Sequence, residues 1–173
     1  MVEENQKCQE DLAVKEKQVA VESKDIEKWI RQVVIKKDKK NPTPVCPFAK
    51  RTLEDRKIQI AMAKKDVLLQ VSHCCNLFNI FNLDIVILYF NHKISEKRLA
   101  DLCRKAHKQN PKYAIMYDHP YNNKKVKGVQ FSFQKAPLLF IQDLNKLRDA
   151  QRRLQKTDYY RVWGLDGDSD MFY

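Results

Sequence analysis

The chain has 173 residues, enough for one domain with a substantial core but too few for two full domains. Its formal net charge is +11, and its three glycines (Gly128, Gly164 and Gly167) form neither of the glycine-rich phosphate loops. The charge favours polyanions and acidic ligands. A chain rich in lysine and asparagine is also what an AT-rich genome produces, so both interpretations of the charge stay open.

Cysteine usage and hydropathy indicate the compartment. The five cysteines are an odd number and follow no disulfide framework spacing. The first residues, MVEENQKCQEDL, are not those of a signal peptide. The longest apolar run, residues 83–90, contains Asp84 and is too short to span a bilayer. We therefore expect a reduced, cytoplasmic protein without a membrane segment.

The N-terminal segment, residues 1–35, is predicted to be helical from residue 5. Apolar residues recur there at every seventh position, namely Leu12, Val19, Ile26 and Val33. Glu16 and Ser23 occupy the alternate seam positions, which weakens the heptad. The pattern allows two arrangements, a helix packed on its own domain or a homodimer formed through this helix. Residues 36–45 follow as a basic linker that contains two prolines.

Residues 46–163 form the predicted folded body. Alternating or continuous apolar runs predict strands at 56–63, 83–90 and 112–119, with further strands at 129–133 and 137–143. Helical periodicity predicts helices at 66–81, 95–110 and 145–163. This order predicts an α/β (α+β) fold of the ferredoxin-like sandwich kind, a mixed sheet covered by helices with an N-terminal helical extension. Residues 164–173 are an acidic tail.

Cys46 is the first candidate for chemistry. It directly precedes Pro47, and proline favours the first position of a helix, so Cys46 is predicted to cap a helix. Helix N–H groups, with Lys50 and Arg51 one turn on, would lower the pKa of the thiol and favour a reactive thiolate. The alternative is a cysteine that is simply buried.

His119 is the second candidate, because it ends a predicted strand in the run YDHPYN. Asp118 and Tyr121 stand beside it, and strand ends are where α/β folds place their chemistry. The imidazole could act as a general base toward a thiol or contact an anion. The alternative is a histidine that only stabilises a turn.

A dedicated metal site is not expected. His73 adjoins Cys74 and Cys75, but neighbouring helical side chains point about 100° apart and rarely bind one ion. The tail places Asp166, Asp168 and Asp170 at alternate positions, yet the bidentate carboxylate of a calcium loop does not follow. No cofactor is expected either.

The chain resembles a bacterial family of unknown function that has a tryptophan-initiated helix, a Leu-Cys-Pro-Phe-Ala signature and a later Phe-His-Pro motif. The corresponding segments here are WIRQVVI, VCPFAK, YDHPY and QKAPLLFIQDLNKLRDA. The resemblance implies that Cys46 and His119 converge on one pocket, and it supplies no reaction. Val45, Asp118 and Lys135 depart from the family pattern, and lysine cannot reproduce the bidentate fork of arginine.

Three hypotheses follow. The first is a thiol-dependent enzyme or a protein that binds a small anion, with Cys46, His119 and Asp118 as catalytic residues and Lys135, Lys50 and Tyr121 as ligand contacts. The second is a nucleic-acid-binding module whose candidate contacts are Lys36, Lys37, Lys39, Lys40, Arg148, Arg152 and Arg153. The third is a structural protein that oligomerises through its N-terminal helix.

Overall fold

The computed structural model describes residues 20–37, 43–123 and 125–164. Six α-helices lie in these ranges: α1 (Ser23–Trp29), α2 (Ala49–Glu54), α3 (Val67–Ile80), α4 (Glu96–Gln109), α5 (Leu144–Gln155) and α6 (Tyr159–Trp163). A π-helical turn, Ile30–Val34, continues α1. The strands are β1 (Ile58–Met62), β2 (Ile85–Tyr89), β3 (Tyr113–Asp118), β4 (Lys125–Val126), β5 (Val129–Gln130) and β6 (Leu138–Asp143).

The main sheet has four strands in the order β1-β2-β6-β3. β1 and β2 are parallel, whereas β6 runs antiparallel to both of its neighbours, β2 and β3. β6, the last strand within the described residues, therefore lies between two earlier ones. β4 and β5 form a separate small hairpin, in which Lys127 and Gly128 adopt positive φ.

Two apolar clusters sandwich the sheet, because successive side chains of a strand point to opposite faces. On β2, Val86 and Leu88 enter a first cluster, and the intervening Ile87 enters a second. The first cluster contains the inner faces of α3 and α4, through Val71, Cys75, Phe78, Leu99, Cys103 and Ala106. The second contains Ile26 of α1 and Ile30 of the π-helical turn, with Ala49 and Leu53 of α2 packed against it.

Side-chain caps begin the three longest helices. Asp66 accepts a hydrogen bond from the amide of Leu69, Ser95 from that of Arg98, and Asp143 from that of Lys146. α5 follows β6 directly and packs against β6, β3 and α6. β3 is an edge strand, and both α4 and α5 pack against it.

The predicted class is confirmed: the fold is α+β, a mixed sheet covered by helices, and a ferredoxin-like arrangement is consistent with it. Three predicted elements differ. Within the described residues the N-terminal helix begins at Ser23, because Glu22 is extended, and residues 5–19 of the predicted helix lie outside them. The predicted helix at 145–163 is interrupted at Lys156–Asp158. In the predicted strand at 129–133, only Val129 and Gln130 are in a strand. The backbone beyond them bonds to side chains instead, because the carbonyl of Phe131 accepts from the indole of Trp29 and the amide of Phe133 donates to Asp118.

Candidate functional site

Cys46 lies in a half-buried turn just before α2. Its amide donates to the carbonyl of Val34 at 3.1 Å, and its own carbonyl accepts the amide of Ala49 at 3.2 Å. The amides of Phe48 and Ala49 also lower the pKa of the thiol. The predicted capping role is close to this geometry, although α2 itself starts at Ala49. Burial raises the pKa of the thiol and outweighs the two amides that lower it, which is the opposite of the expected lowering, and the reactivity of Cys46 stays a prediction.

Lys50, predicted as an anion contact beside Cys46, is instead exposed on α2. Its ammonium lies 3.8 Å from the carboxylate of Glu54, one helical turn on. The neighbouring Arg51 pairs with Asp55 at 3.4 Å in the same way. Neither cation contributes to the pKa of Cys46 in either direction. These cations therefore form ion pairs on the surface of the short helix α2.

His119 is buried, with 4% of its surface exposed, and both ring nitrogens are used. Nε2 lies 2.9 Å from the carbonyl of Ile94, and Nδ1 accepts the amide of Tyr121 at 3.4 Å. This pattern assigns the proton to Nε2, because a carbonyl can only accept. The ring therefore ties the turn after β3 to the segment that leads into α4.

Asp118 does not orient the imidazole of His119. Its carboxylate accepts the amide of Phe133 at 2.6 Å and the hydroxyl of Ser132 at 2.8 Å. Burial raises the pKa of this carboxyl, and the two hydrogen bonds oppose that rise. Asp118 therefore anchors the chain before β6 to the end of β3.

The contacts of Cys46 and His119 lie in different parts of the molecule. Cys46 precedes α2, which packs on the second cluster, whereas Ile94, the partner of His119, packs on the first. Lys135, predicted to bind an anion, is ion-paired with Asp25 of α1 at 2.8 Å. No hydrogen bond among the described residues joins Cys46 to His119, so their pairing in one pocket stays a prediction.

The predicted nucleic-acid contacts are exposed where the structure describes them. Lys36 and Lys37 follow the π-helical turn, while Lys39 and Lys40 lie outside the described residues. On α5 and directly after it, five cations are exposed: Lys146, Arg148, Arg152, Arg153 and Lys156. Lys146 pairs with Asp84 at 2.9 Å and Arg152 with Asp149 at 3.1 Å. Arg148, also predicted as a contact, is exposed on the same helix.

Sequence reasoning missed a second cationic surface, the outer face of α4. It carries Lys97, Arg98, Arg104, Lys105 and Lys108, all exposed. Arg104 is hydrogen-bonded to Asp101, and the other four make no ion pair within the described part of the chain. A shallow, open depression of about 380 Å³ lies against the second half of this face. The signal was present, because positions 97, 104 and 108 share one helical stripe.

Two tyrosines lie near the first turn of α4. Tyr117 of β3 is 38% exposed, and Glu96, the first residue of α4, is hydrogen-bonded to it and raises its pKa, although burial contributes more. Tyr121 is 79% exposed, with its ring 5.1 Å from that of His119. His119, beside Tyr121, is hydrogen-bonded to Ile94 just before α4. The name α4 surface is used here for the cationic outer face of α4 together with Tyr117 and Tyr121.

Within the described ranges, no three His, Cys, Asp or Glu side chains are grouped so as to hold a metal ion. Asp166, Asp168 and Asp170 of the predicted tail are outside those ranges. None of the described helices is long and apolar enough to cross a bilayer. No family model, curated protein or solved structure matches the chain. The resemblance built on VCPFAK and YDHPY stays a prediction.

Proposed function

We propose that this protein binds single-stranded nucleic acid on the α4 surface. The observation that carries the proposal is the outer face of α4, where four exposed cations have no ion-pair partner among the described residues. Phosphates that approach such a face gain Coulomb energy and release condensed counterions, and no internal ion pair has to be broken first. Long, solvated side chains also follow an irregular backbone easily.

Exposed aromatic rings are the second requirement for single-stranded ligands, because bases stack on them without sequence preference. Tyr121 supplies such a ring, and its ring lies 5.1 Å from that of His119, which is hydrogen-bonded to Ile94 just before α4. His119 is a positioning residue here, since it holds the turn of Tyr121 against the start of α4. α5, which carries further exposed cations, also packs against the edge strand β3.

The test is fluorescence anisotropy with labelled 20-nucleotide dT and U strands, titrated at several salt concentrations. The natural protein is expected to bind at low salt, with an affinity that falls steeply as salt rises. The triple variant Lys97→Gln, Lys105→Gln, Lys108→Gln should weaken binding by about tenfold or more. It should also reduce the salt slope by about 0.7 for each phosphate that the variant no longer neutralises.

A matched control removes the same charge elsewhere. Lys24→Gln, Lys28→Gln, Arg31→Gln changes exposed cations of α1 and the π-helical turn, which pack on the opposite face of the sheet. It should leave the affinity within about twofold, apart from the small general effect of net charge. Absence of binding in low salt, or an equal loss in both triple variants, would overturn the proposal.

A further inference from the structure

A half-open pocket lies where the π-helical turn, the segment before α2, the strand β5 and α6 meet. Its volume is about 160 Å³, close to the roughly 150 Å³ of a cavity that holds one benzene molecule. Each of the four elements contributes one apolar side chain to the lining: Val33, Val45, Val129 and Trp163. Two glutamine amides and the ammonium of Lys36 supply the polar part. The pocket uses no residue of the α4 surface.

Trp163 brings to this pocket a hydrogen-bond donor that has no acceptor. Its side chain is 2% exposed, and its buried Nε1–H finds no partner within the described part of the chain. Phe131 holds the indole from one side, with the ring centroids 5.3 Å apart and the planes nearly perpendicular. A buried donor without a partner destabilises a fold, and native structures contain few of them. An acceptor that enters the pocket would satisfy this donor, which indicates a ligand with a carbonyl or carboxylate oxygen.

The charges at the pocket favour a carboxylate over a neutral acceptor. Among the described residues that line it, Lys36 is the only one that titrates, and its side chain is exposed. A second cation is near, because the Cε atom of Lys127 lies 3.4 Å from the position that a Cβ on Gly164 would take. Gly164 directly follows Trp163 in the chain. A carboxylate oxygen can accept from both an ammonium and an indole N–H.

The walls of the pocket are held by hydrogen bonds of the fold itself. The hydroxyl of Tyr159, one helical turn before Trp163, donates to the carbonyl of Val45. The next amide, that of Cys46, donates to the carbonyl of Val34 at 3.1 Å. α6, the π-helical turn and the segment before α2 are thereby tied together. A site that is formed before the ligand arrives loses little binding energy to ordering.

We propose that this pocket binds a small monocarboxylate whose apolar body is about the size of one ring. The carboxylate lies between the ammonium of Lys36 and the indole N–H of Trp163. The apolar body contacts the valines of the lining and gains free energy by leaving water.

Titration of the full chain with benzoate, followed by NMR, tests the proposal. The chain has two tryptophans, so a proton–nitrogen correlation spectrum shows two indole signals, and Trp29→Phe assigns them. Trp29 is an internal control, because its indole already donates to the carbonyl of Phe131 at 3.1 Å. Benzoate should move the Trp163 signal downfield in a saturable way and leave that of Trp29 nearly in place. A ligand of this size should bind with a Kd of about 1 mM.

Two further ligands and two variants separate the contributions to binding. Benzyl alcohol keeps the ring without the charge, and acetate keeps the charge without the ring, so each should bind several-fold more weakly than benzoate. Lys36→Gln should weaken benzoate binding about fivefold, the effect of one exposed ion pair. The matched control, Lys37→Gln, changes the next residue, which does not line the pocket, and should stay within about twofold. Both lysines are exposed, so neither change should prevent folding.

Three results would overturn the proposal. Without a saturable movement of the Trp163 signal, or with equal movement of both indole signals, benzoate has no site in this pocket. Benzyl alcohol or acetate binding as tightly as benzoate would show that charge and apolar body are not recognised together. Equal losses in Lys36→Gln and Lys37→Gln would reduce the role of Lys36 to the net charge of the protein.

Discussion

The helices α3 and α4 have the same length, pack against each other on one side of the sheet, and yet present opposite surfaces. Each is 14 residues long and buries three residues in the first cluster. Outward, α3 exposes Leu69, Leu77 and Ile80, whereas α4 exposes five cations. Packing against the sheet therefore constrains only the inner face of each helix. The outer faces are therefore free to differ.

Truncation of the inner faces has the largest expected effect and tests whether the two helices are equivalent there. Phe78→Ala in α3 should cost about 3–5 kcal/mol and Leu99→Ala in α4 about 2–5 kcal/mol, because each side chain is almost fully buried and leaves a cavity. Urea unfolding followed by circular dichroism measures both. A cost below about 1 kcal/mol for either variant would mean that its helix is not part of a common core.

The buried cysteines of α3 and α4 give a second comparison of the inner faces of these two helices. Burial raises the pKa of Cys75 in α3 and of Cys103 in α4 to about 12 each. Since only the thiolate reacts, iodoacetamide at pH 8 should label both more than about 10³-fold more slowly in the folded protein than in urea. Peptide mass spectrometry over time gives the rates.

Cys46 belongs in the same experiment, and it should also be protected, because burial raises its pKa too. Rapid labelling of Cys46 in the folded protein would support the reactive thiolate that the sequence predicts.

The raised pKa values of the buried thiols also predict that the folded protein is less stable at alkaline pH. A thiol with a raised pKa in the folded state stabilises that state below the unfolded pKa of about 8.5, and this contribution is lost as the pH rises toward 12.

The smallest predicted effect concerns the outer surface beside α4. Tyr121→Ala should weaken binding of the labelled dT strand by about 1–3 kcal/mol, the range found for one stacked base. Tyr121→Phe keeps the ring and should bind nearly as well as the natural protein. Because Tyr121 is 79% exposed, neither change should shift the urea midpoint. Equal binding by Tyr121→Ala and the natural protein would remove the aromatic part of the proposed site.

Periodicity predicted the regular elements well, because it reports which side of an element is buried. The helices α3 and α4 and the strands β1, β2, β3 and β6 all lie within their predicted ranges. The break of the last helix at Lys156–Asp158 was missed, since no proline or glycine marks it. The extended conformation of Glu22 was missed for a different reason, because the neighbouring Val21 is held by tertiary contacts with Asn91.

The candidate site was harder to predict than the fold. Cys46 and His119 were chosen for local motifs, but the pKa of a thiol and the partners of an imidazole depend on residues distant in sequence. Here Ile94 holds the imidazole, and burial raises the pKa of the thiol against the nearby amides of Phe48 and Ala49, and no local pattern shows either effect. The cations of α4 could have been found by projecting the helix, because their exposure follows from the apolar positions opposite them.

The position of β6 also bears on how the molecule assembles. The last strand of the sheet fills the gap between β2 and β3, so these two strands are not joined by hydrogen bonds until β6 arrives. A nascent chain that ends before Leu138 would expose the unpaired edges of both strands, and such edges recruit other chains. Completion of the sheet waits for pairings between residues far apart in sequence, which makes folding slow. The consequence of this topology is a period of vulnerability to aggregation during synthesis.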